Sequence, residues 1–223
     1  MPDRPDDFLA SLTDEERSAL RAAGRVRRFS KGEAIFHEGD DPGGVVAVLT
    51  GTVKVSVIGV GGREVVLRFP GPGELVGELA AVGDRPRTAT VTAVDDVEAI
   101  AVRATDFRRF VLEHPRVAPL VFEHVAALLA EADRQRIDFA TRDVTARIAG
   151  RLIELAETVG EPGPGEGVRI TLPLSQEELA AWSGASREAV ARSLHLLREL
   201  GWIETRRREI KVLNMDAMRG LVQ

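Results

Sequence analysis

Two short stretches of this chain carry residue types at spacings that could do binding chemistry. From Gly71 to Ala80 the sequence reads Gly-Pro-Gly-Glu-Leu-Val-Gly-Glu-Leu-Ala, and from Asp84 to Ala89 it reads Asp-Arg-Pro-Arg-Thr-Ala. Gly77 lets backbone amides approach an anion, the Glu78 carboxylate can accept from a sugar hydroxyl, and Arg87 with Thr88 can hold a phosphate by charge and hydroxyl together. Turns in an ordinary β-protein would use the same residues, and this stretch alone does not choose between the two. The second stretch begins at Ser186, Arg187 and Glu188 and continues past Arg192. On a helix capped by Ser186, Arg187, Glu188 and Arg192 fall on the first two turns, while Val190, Leu194 and Leu197 point back to the core. A guanidinium fork can bond both major-groove acceptors of guanine, and a carboxylate can accept from the cytosine amine. A surface helix with unremarkable Arg/Glu pairing is the plain alternative. Arg206, Arg207 and Arg208 add three consecutive charges, a pattern that also suits a solvated turn.

The elements that must position these residues are readable from hydrophobic period and punctuation. Thr13 and Glu16 form a capping box ahead of a short helix over 14–23, which Gly24 ends. From Arg25 to Arg103 come short runs rich in Val and Ile: Val45 to Leu49, Val53 to Ile58, Val65 to Phe69, Ala89 to Ala93 and Val97 to Val102. Clusters of Gly, Pro and Asp separate them, which describes an antiparallel sandwich or roll. Gly59 to Gly62 superficially resembles a phosphate loop, but neither a helix nor a Lys-Ser/Thr pair follows it, and it reads as a hairpin turn. A capped helix is expected over Thr105 to Glu113.

A long helix follows, from Pro115 to Ala140, with Pro119 moving its start to about residue 118. Val121, Val125, Leu128, Ala132, Gln135 and Phe139 alternate spacings of four and three, a coiled-coil seam that predicts parallel pairing of two copies. A core-spanning helix in a monomer is the alternative. Beyond it, Val144 to Val159 is amphipathic, Glu161 to Gly167 is a loop, and Val168 to Leu172 is a short strand. Ser175, with Glu178 as its box partner, starts a helix running to Trp182, and a turn at Ser183 to Ala185 leads to a second helix from Ser186 to Leu200. A hairpin of Trp202 to Glu204 and Ile210 to Leu213 completes a winged helix-turn-helix, with the three arginines at its tip.

The chain has 223 residues, enough for two modest domains, and no cysteine, so disulfides, thiolate metal sites and iron–sulfur clusters are excluded. No apolar run approaches the length of a bilayer span, and the N-terminus lacks a secretory layout, so no membrane partner and a cytoplasmic location are expected. The net charge of −5 hides an asymmetry: residues 168–223 carry nine Lys/Arg against seven Asp/Glu, leaving the excess of negative charge in the rest of the chain.

Together, the Gly-Glu-Leu and Arg-Thr-Ala cassette at 77–89, the long helix, Asp143-Val-Thr-Ala-Arg-Ile at 143–148 and Gly-Ala-Ser-Arg-Glu at 184–188 resemble the cyclic AMP receptor protein and Fnr family of bacterial transcription regulators over nearly the full length. The resemblance implies an α+β chain: an N-terminal antiparallel β-roll that binds a cyclic nucleotide (1–115), a dimerisation helix (116–140) and a C-terminal winged helix-turn-helix that binds DNA (141–223). It implies that Gly77, Glu78, Leu79, Arg87 and Thr88 hold the ribose and cyclic phosphate. Ser186, Arg187, Glu188, Arg192 and Arg206 to Arg208 would meet double-stranded DNA at a two-fold symmetric operator. In the family a contact with RNA polymerase can form near Glu161 to Gly167.

One part of the family pattern departs. The hydroxyl or amide groups that usually face adenine from the dimer helix fall here on Ala132 and Asp133. Asp133, an acceptor when ionised, suits the adenine amine and disfavours the guanine carbonyl, whereas Thr88 resembles cassettes associated with cyclic GMP. Cyclic AMP is therefore the expected effector and cyclic GMP its rival, with no metal. None of the four histidines, His37, His114, His124 and His195, stands out as a haem ligand. Two other readings stand beside this one: a DNA-binding regulator with no cyclic nucleotide or another effector, and an enzyme governed by a nucleotide-binding roll. The second finds no nucleophile–base pair, metal cluster or Walker-type loop in the sequence, so no catalysis is expected.

Overall fold

The structure, a computed structural model, describes residues 7–163, 167–172, 174–206 and 209–222. Contacts divide the chain into two compact units, Met1–Val57 with Leu67–Asp133 and Ile58–Val66 with Arg134–Gln223.

The first begins with α1 (Phe8–Ser11) and α2 (Asp14–Ala23). The capping box at α2 is present: Glu16 N donates to Thr13 Oγ1 at 3.2 Å and Thr13 N to Glu16 Oε2 at 2.8 Å. The strands are β1 (Arg25–Phe29), β2 (Ala34–Phe36), β3 (Gly44–Thr50), β4 (Val53–Ile58), β5 (Glu64–Arg68) and β6 (Leu75–Val76). After α3 (Glu78–Gly83) come β7 (Thr90–Ala93), β8 (Val97–Arg103), α4 (Ala104–Glu113) and α5 (Val117–Thr141). Two four-stranded antiparallel sheets, ordered β1-β8-β3-β6 and β2-β7-β4-β5, make the roll. The near-continuous apolar run of β3 follows from burial on both faces. Val45 and Ala47 pack with Leu20, Phe107, Phe110 and Val121, and the alternate residues Val46 and Val48 pack with Val53, Val55 and Val91 between the sheets.

Three expectations shift. Helix α4 starts at Ala104 rather than Thr105 and its N-cap, Arg103, makes no side-chain cap bond; β8 runs straight into it and the Gly43 carbonyl accepts from Ala104 N. Helix α5 starts at Val117 with Pro119 in its first turn, where amides have no helical partner and a missing N–H costs little. Residues 161–162, expected in a loop, pair with the following strand as β9 (Glu161–Pro162).

The second unit contains α6 (Val144–Thr158), β9, β10 (Val168–Ile170), α7 (Gln176–Ser183), α8 (Arg187–Glu199), β11 (Ile203–Arg206), β12 (Glu209–Val212) and α9 (Met215–Val222). Its sheet is ordered β11-β12-β10-β9. Ile148, Leu152, Leu155, Leu179, Trp182, Val190, Leu194 and Leu197 are buried, so α6, α7 and α8 share one core. This is a winged helix-turn-helix, and the chain as a whole is α+β with a roll, a long helix and this C-terminal module.

Candidate functional site

In the roll, Gly77 adopts φ 86°, ψ 4°, a left-handed conformation that glycine takes without strain, and it caps α3. Its missing side chain leaves room for Arg87: a Cβ at 77 would lie 2.5 Å from Arg87 Nη1 and 2.9 Å from Phe36 Cε2. Arg87 donates through Nη1 to the Gly77 carbonyl at 3.0 Å and through Nη2 to the Gly44 carbonyl at 2.6 Å. Its guanidinium lies 3.6 Å from the Phe36 ring centroid, a close cation–π contact. The residue is fixed along the backbone too, with Arg87 N donating to Asp40 O and Gly39 N to Arg87 O. Burial pulls the guanidinium pKa down while the charges of Glu78 and Asp40 oppose it, and the group stays charged.

Glu78, first residue of α3, is 2% exposed, and its Oε2 has no hydrogen-bond partner among the described residues. Its Oε1 lies 3.9 Å from Nε2 of His124, which projects from α5 and is itself buried. Nearby, Arg68 pairs with Glu74 at 3.0 Å and donates to the Leu75 carbonyl at 3.3 Å. A carboxylate buried this far from solvent with an unsatisfied oxygen is costly unless something else bonds it.

The structure thus brings Gly77, Glu78 and Arg87 together. Leu79 and Thr88 sit on the exposed side, and Asp133 is exposed on α5, nine residues beyond His124 or about 13 Å along the helix. Sequence reasoning missed Phe36, Gly44, Arg68 and His124. Only His124 carried a signal, as a titratable residue between Val121 and Val125 on the helix's inward face. A cleft of about 670 Å³ lined by Arg25, Arg27, Phe36 and Gly44 lies beside this seat but contains neither Glu78 nor Arg87. No cluster of His, Asp or Glu among the described residues could hold a metal ion.

In the second unit, Ser175 and Glu178 form their capping box, with Ser175 N donating to Glu178 Oε2 at 2.9 Å and Glu178 N to Ser175 Oγ at 3.1 Å. Ser186 caps α8, accepting from Ala189 N at 3.2 Å. The inner face of α8 is as its sequence pattern requires, with Val190, Leu194 and Leu197 buried, and Arg187, Glu188 and Arg192 are exposed along its outer face. Glu188 is held below the usual carboxylate range by its own backbone amide, then by the Ser186 hydroxyl and the charges of Arg187 and Arg192. The outer face is therefore a row of ionised groups, two donors flanking an acceptor.

The turn before α8 is tightly built. Gly184 has φ 58°, and a Cβ there would meet the Phe139 ring at 2.5 Å. Arg147 donates to the Ser183 carbonyl at 2.9 Å and lies 5.4 Å from the centroid of the same ring. On the wing, Arg198 donates to Thr205 Oγ1 at 2.9 Å, tying α8 to β11, and Arg206 is exposed with Glu204 at 3.9 Å. Arg207 and Arg208 lie outside the described residues. No helix among the described residues is long and apolar enough to cross a membrane.

Comparison with known proteins agrees with both halves. Residues 26–114 match the family model of a cyclic nucleotide-binding domain and residues 146–221 that of a Crp-like helix-turn-helix domain. The chain is 34% identical over 194 residues to the cyclic AMP receptor protein of Thermus thermophilus, covering 85% of this chain and 84% of that one. It is 28% identical over 190 residues to a CRP-like cAMP-activated global transcriptional regulator of Mycobacterium tuberculosis, again covering 85% and 84%. Among solved structures, a CRP/FNR-family transcriptional regulator of Thermus thermophilus superposes with a TM-score of 0.75 at 27% identity, over 89% of this chain and 98% of that one. These relatives are transcription regulators, not enzymes, and with a cyclic nucleotide-binding roll joined to a Crp-like DNA-binding module the chain belongs to the Crp/Fnr family of DNA-binding transcription regulators.

Proposed function

We propose that the chain is a homodimeric, cytoplasmic regulator whose grip on a two-fold symmetric operator is controlled by cyclic AMP. The observation that carries this reading is that Arg87 and Glu78 are both buried at the Gly77 turn: a cation held by two backbone carbonyls and, within reach of its charge, a carboxyl group with an unsatisfied oxygen. A cyclic phosphate would draw the guanidinium from its two carbonyls, and the ribose would satisfy Glu78. Gly77, Glu78, Leu79, Arg87 and Thr88 form the proposed phosphate and sugar contacts, and Asp133, an acceptor, favours the adenine amine over the guanine carbonyl. In this division residues 1–115 bind the nucleotide, 116–140 dimerise and 141–223 bind DNA.

Dimerisation is supported by α5, a 25-residue helix, though not on the seam expected from the sequence: Val121, its first residue, is buried in the roll core, while Phe122, Leu129 and Ile137 are 74%, 62% and 60% exposed. Such a stripe is what a second copy of the helix would cover. Arg187, Glu188 and Arg192 then read base edges in the major groove, with Ser186 and Arg206 near phosphates, and the two half-sites lie about 34 Å apart, one duplex turn. An activating contact with RNA polymerase falls, in this reading, to the 161–167 segment.

Coupling between sites is reciprocal, so cognate duplex must tighten nucleotide binding by the factor with which nucleotide tightens duplex binding. Calorimetric titration of cyclic AMP and cyclic GMP, with and without operator, tests this. Cyclic AMP should bind the more tightly and gain affinity with operator present. Equal affinities with and without operator refute the coupling, absence of binding by either nucleotide refutes the effector, and unaltered binding by Arg87→Ala refutes the pocket.

A further inference from the structure

We infer that the slot between the edge strands β1 and β2 is a ligand site in its own right, built for a carboxylate that carries an apolar body, such as a medium-chain acyl group.

Strand β1 ends one sheet of the roll and β2 ends the other. Along β1 the register sets Arg25 opposite Ala101 and Arg27 opposite Ala99, and β8 sets those alanines opposite Val46 and Val48 of β3. Ala99, Val46 and Val48 belong to the core between the sheets, and Ala101 packs against it. Alternation therefore aims Arg25 and Arg27 at the space between the sheets, on the same face as buried Phe29, while Val26 on the opposite face is 51% exposed. The polarity of this strand is the reverse of one that merely closes a core.

Guanidiniums cannot be packed between sheets without a counter-charge, and the space beside them is open. It is a cleft of about 670 Å³, the size of a small-molecule site, lined by Ile35 and Phe36 from β2 and by Val46 and Ala101 from the sheet opposite. Arg103 also lines it but is already engaged by Asp106 at 2.7 Å. Among the described residues no carboxylate pairs with Arg25 or Arg27; Arg27 only lies over the Phe29 ring, 5.0 Å from its centroid. Two free guanidinium forks, two residues apart on one strand, match the two oxygens of a single carboxylate. The aliphatic and aromatic side chains of the cleft offer a hydrocarbon body contact and nothing to hydrogen-bond. Charges on an edge strand also keep sheets from pairing, but that role needs no cavity behind them.

The test is calorimetric titration of the full chain with octanoate, with 1-octanol, which has the body without the charge, and with acetate, which has the charge without the body. Octanoate should bind once per chain, and the other two at least tenfold more weakly. The double variant Arg25→Ser, Arg27→Ser should lose roughly tenfold or more in octanoate affinity, the weight of one charge-assisted bond, and Ala101→Phe, which fills the cleft, should abolish binding. Should Ala101→Phe lose its fold, as circular dichroism would show, the arginine variant, altered only at exposed side chains, decides alone. Failure of the wild type to bind octanoate overturns the inference. So does 1-octanol binding as tightly as octanoate, or octanoate affinity unchanged in either folded variant.

Discussion

Replacing Gly77 by alanine should damage the roll before any ligand is considered, and the structure allows the size of the effect to be worked out. At φ 86° an alanine pays a left-handed backbone cost of about 1 kcal/mol. The new Cβ would stand 2.5 Å from Arg87 Nη1, 2.9 Å from Phe36 Cε2 and 3.0 Å from the Gly44 carbonyl. The guanidinium is the softest of these, but moving it breaks a charge-assisted bond worth about 1.5–3 kcal/mol. The total is roughly 2.5–4 kcal/mol, which in a chain of this size lowers the midpoint by about 10 °C. Gly32→Ala is the matched control, since Gly32 has φ 84° with nothing within 4 Å of its Cβ, and it should lose only the backbone part. Both tryptophans, Trp182 and Trp202, lie in the C-terminal unit, so calorimetry or far-ultraviolet circular dichroism must follow the roll. Equal midpoints for the two variants would refute the packing argument, and nucleotide binding by Gly77→Ala at wild-type affinity would refute the pocket built on it.

Other outcomes follow from single groups. Arg187→Ala should cost about 1–3 kcal/mol on the preferred duplex and relax base choice, as competition binding with single-base variants would show. Arg206→Ala should weaken all duplexes alike and reduce the salt slope by about one at most, because Glu204 at 3.9 Å already offsets part of its charge. His124 makes stability depend on pH. Its folded pKa is lowered, so on acidification below about pH 6.5 the unfolded chain takes up a proton that the folded one refuses. Its contribution is therefore constant above that pH and falls below it, by at most about 1.4 kcal/mol per unit. Urea midpoints from pH 5 to 8 should show the slope, and His124→Gln should flatten it; an unchanged profile would show that the ring titrates freely.

What the sequence disclosed is local. The boxes at Thr13 with Glu16 and at Ser175 with Glu178, and the cap at Ser186, are legible because a capping group acts on an amide three residues away. The long helix and α8 are legible from their period. Strand β1 is not, because Arg-Val-Arg-Arg-Phe sits at the sheet's edge with only Phe29 buried and offers no clean alternation. Helix α3 has six residues, too few for a period, and α9 follows the wing without a strong start signal. For the pocket, the types of Gly77, Glu78 and Arg87 were informative, but what holds them was not. Phe36 and Gly44 lie on other strands and His124 on a helix 46 residues after Glu78. The carbonyls that bind Arg87 are backbone groups that any residue supplies, so they leave no mark in the sequence.

Where the phenyl ring of Phe139 presses on Gly184, the tail of the long helix touches the DNA-reading module at a point three residues ahead of Arg187. Position 184 is closed to other side chains twice over, by dihedral angle and by space. The contact joins the end of the long helix to the turn before α8 directly, without involving Val190, Leu194 and Leu197. Arg187, Glu188 and Arg192, exposed on α8, can therefore be substituted while that contact is left as it stands.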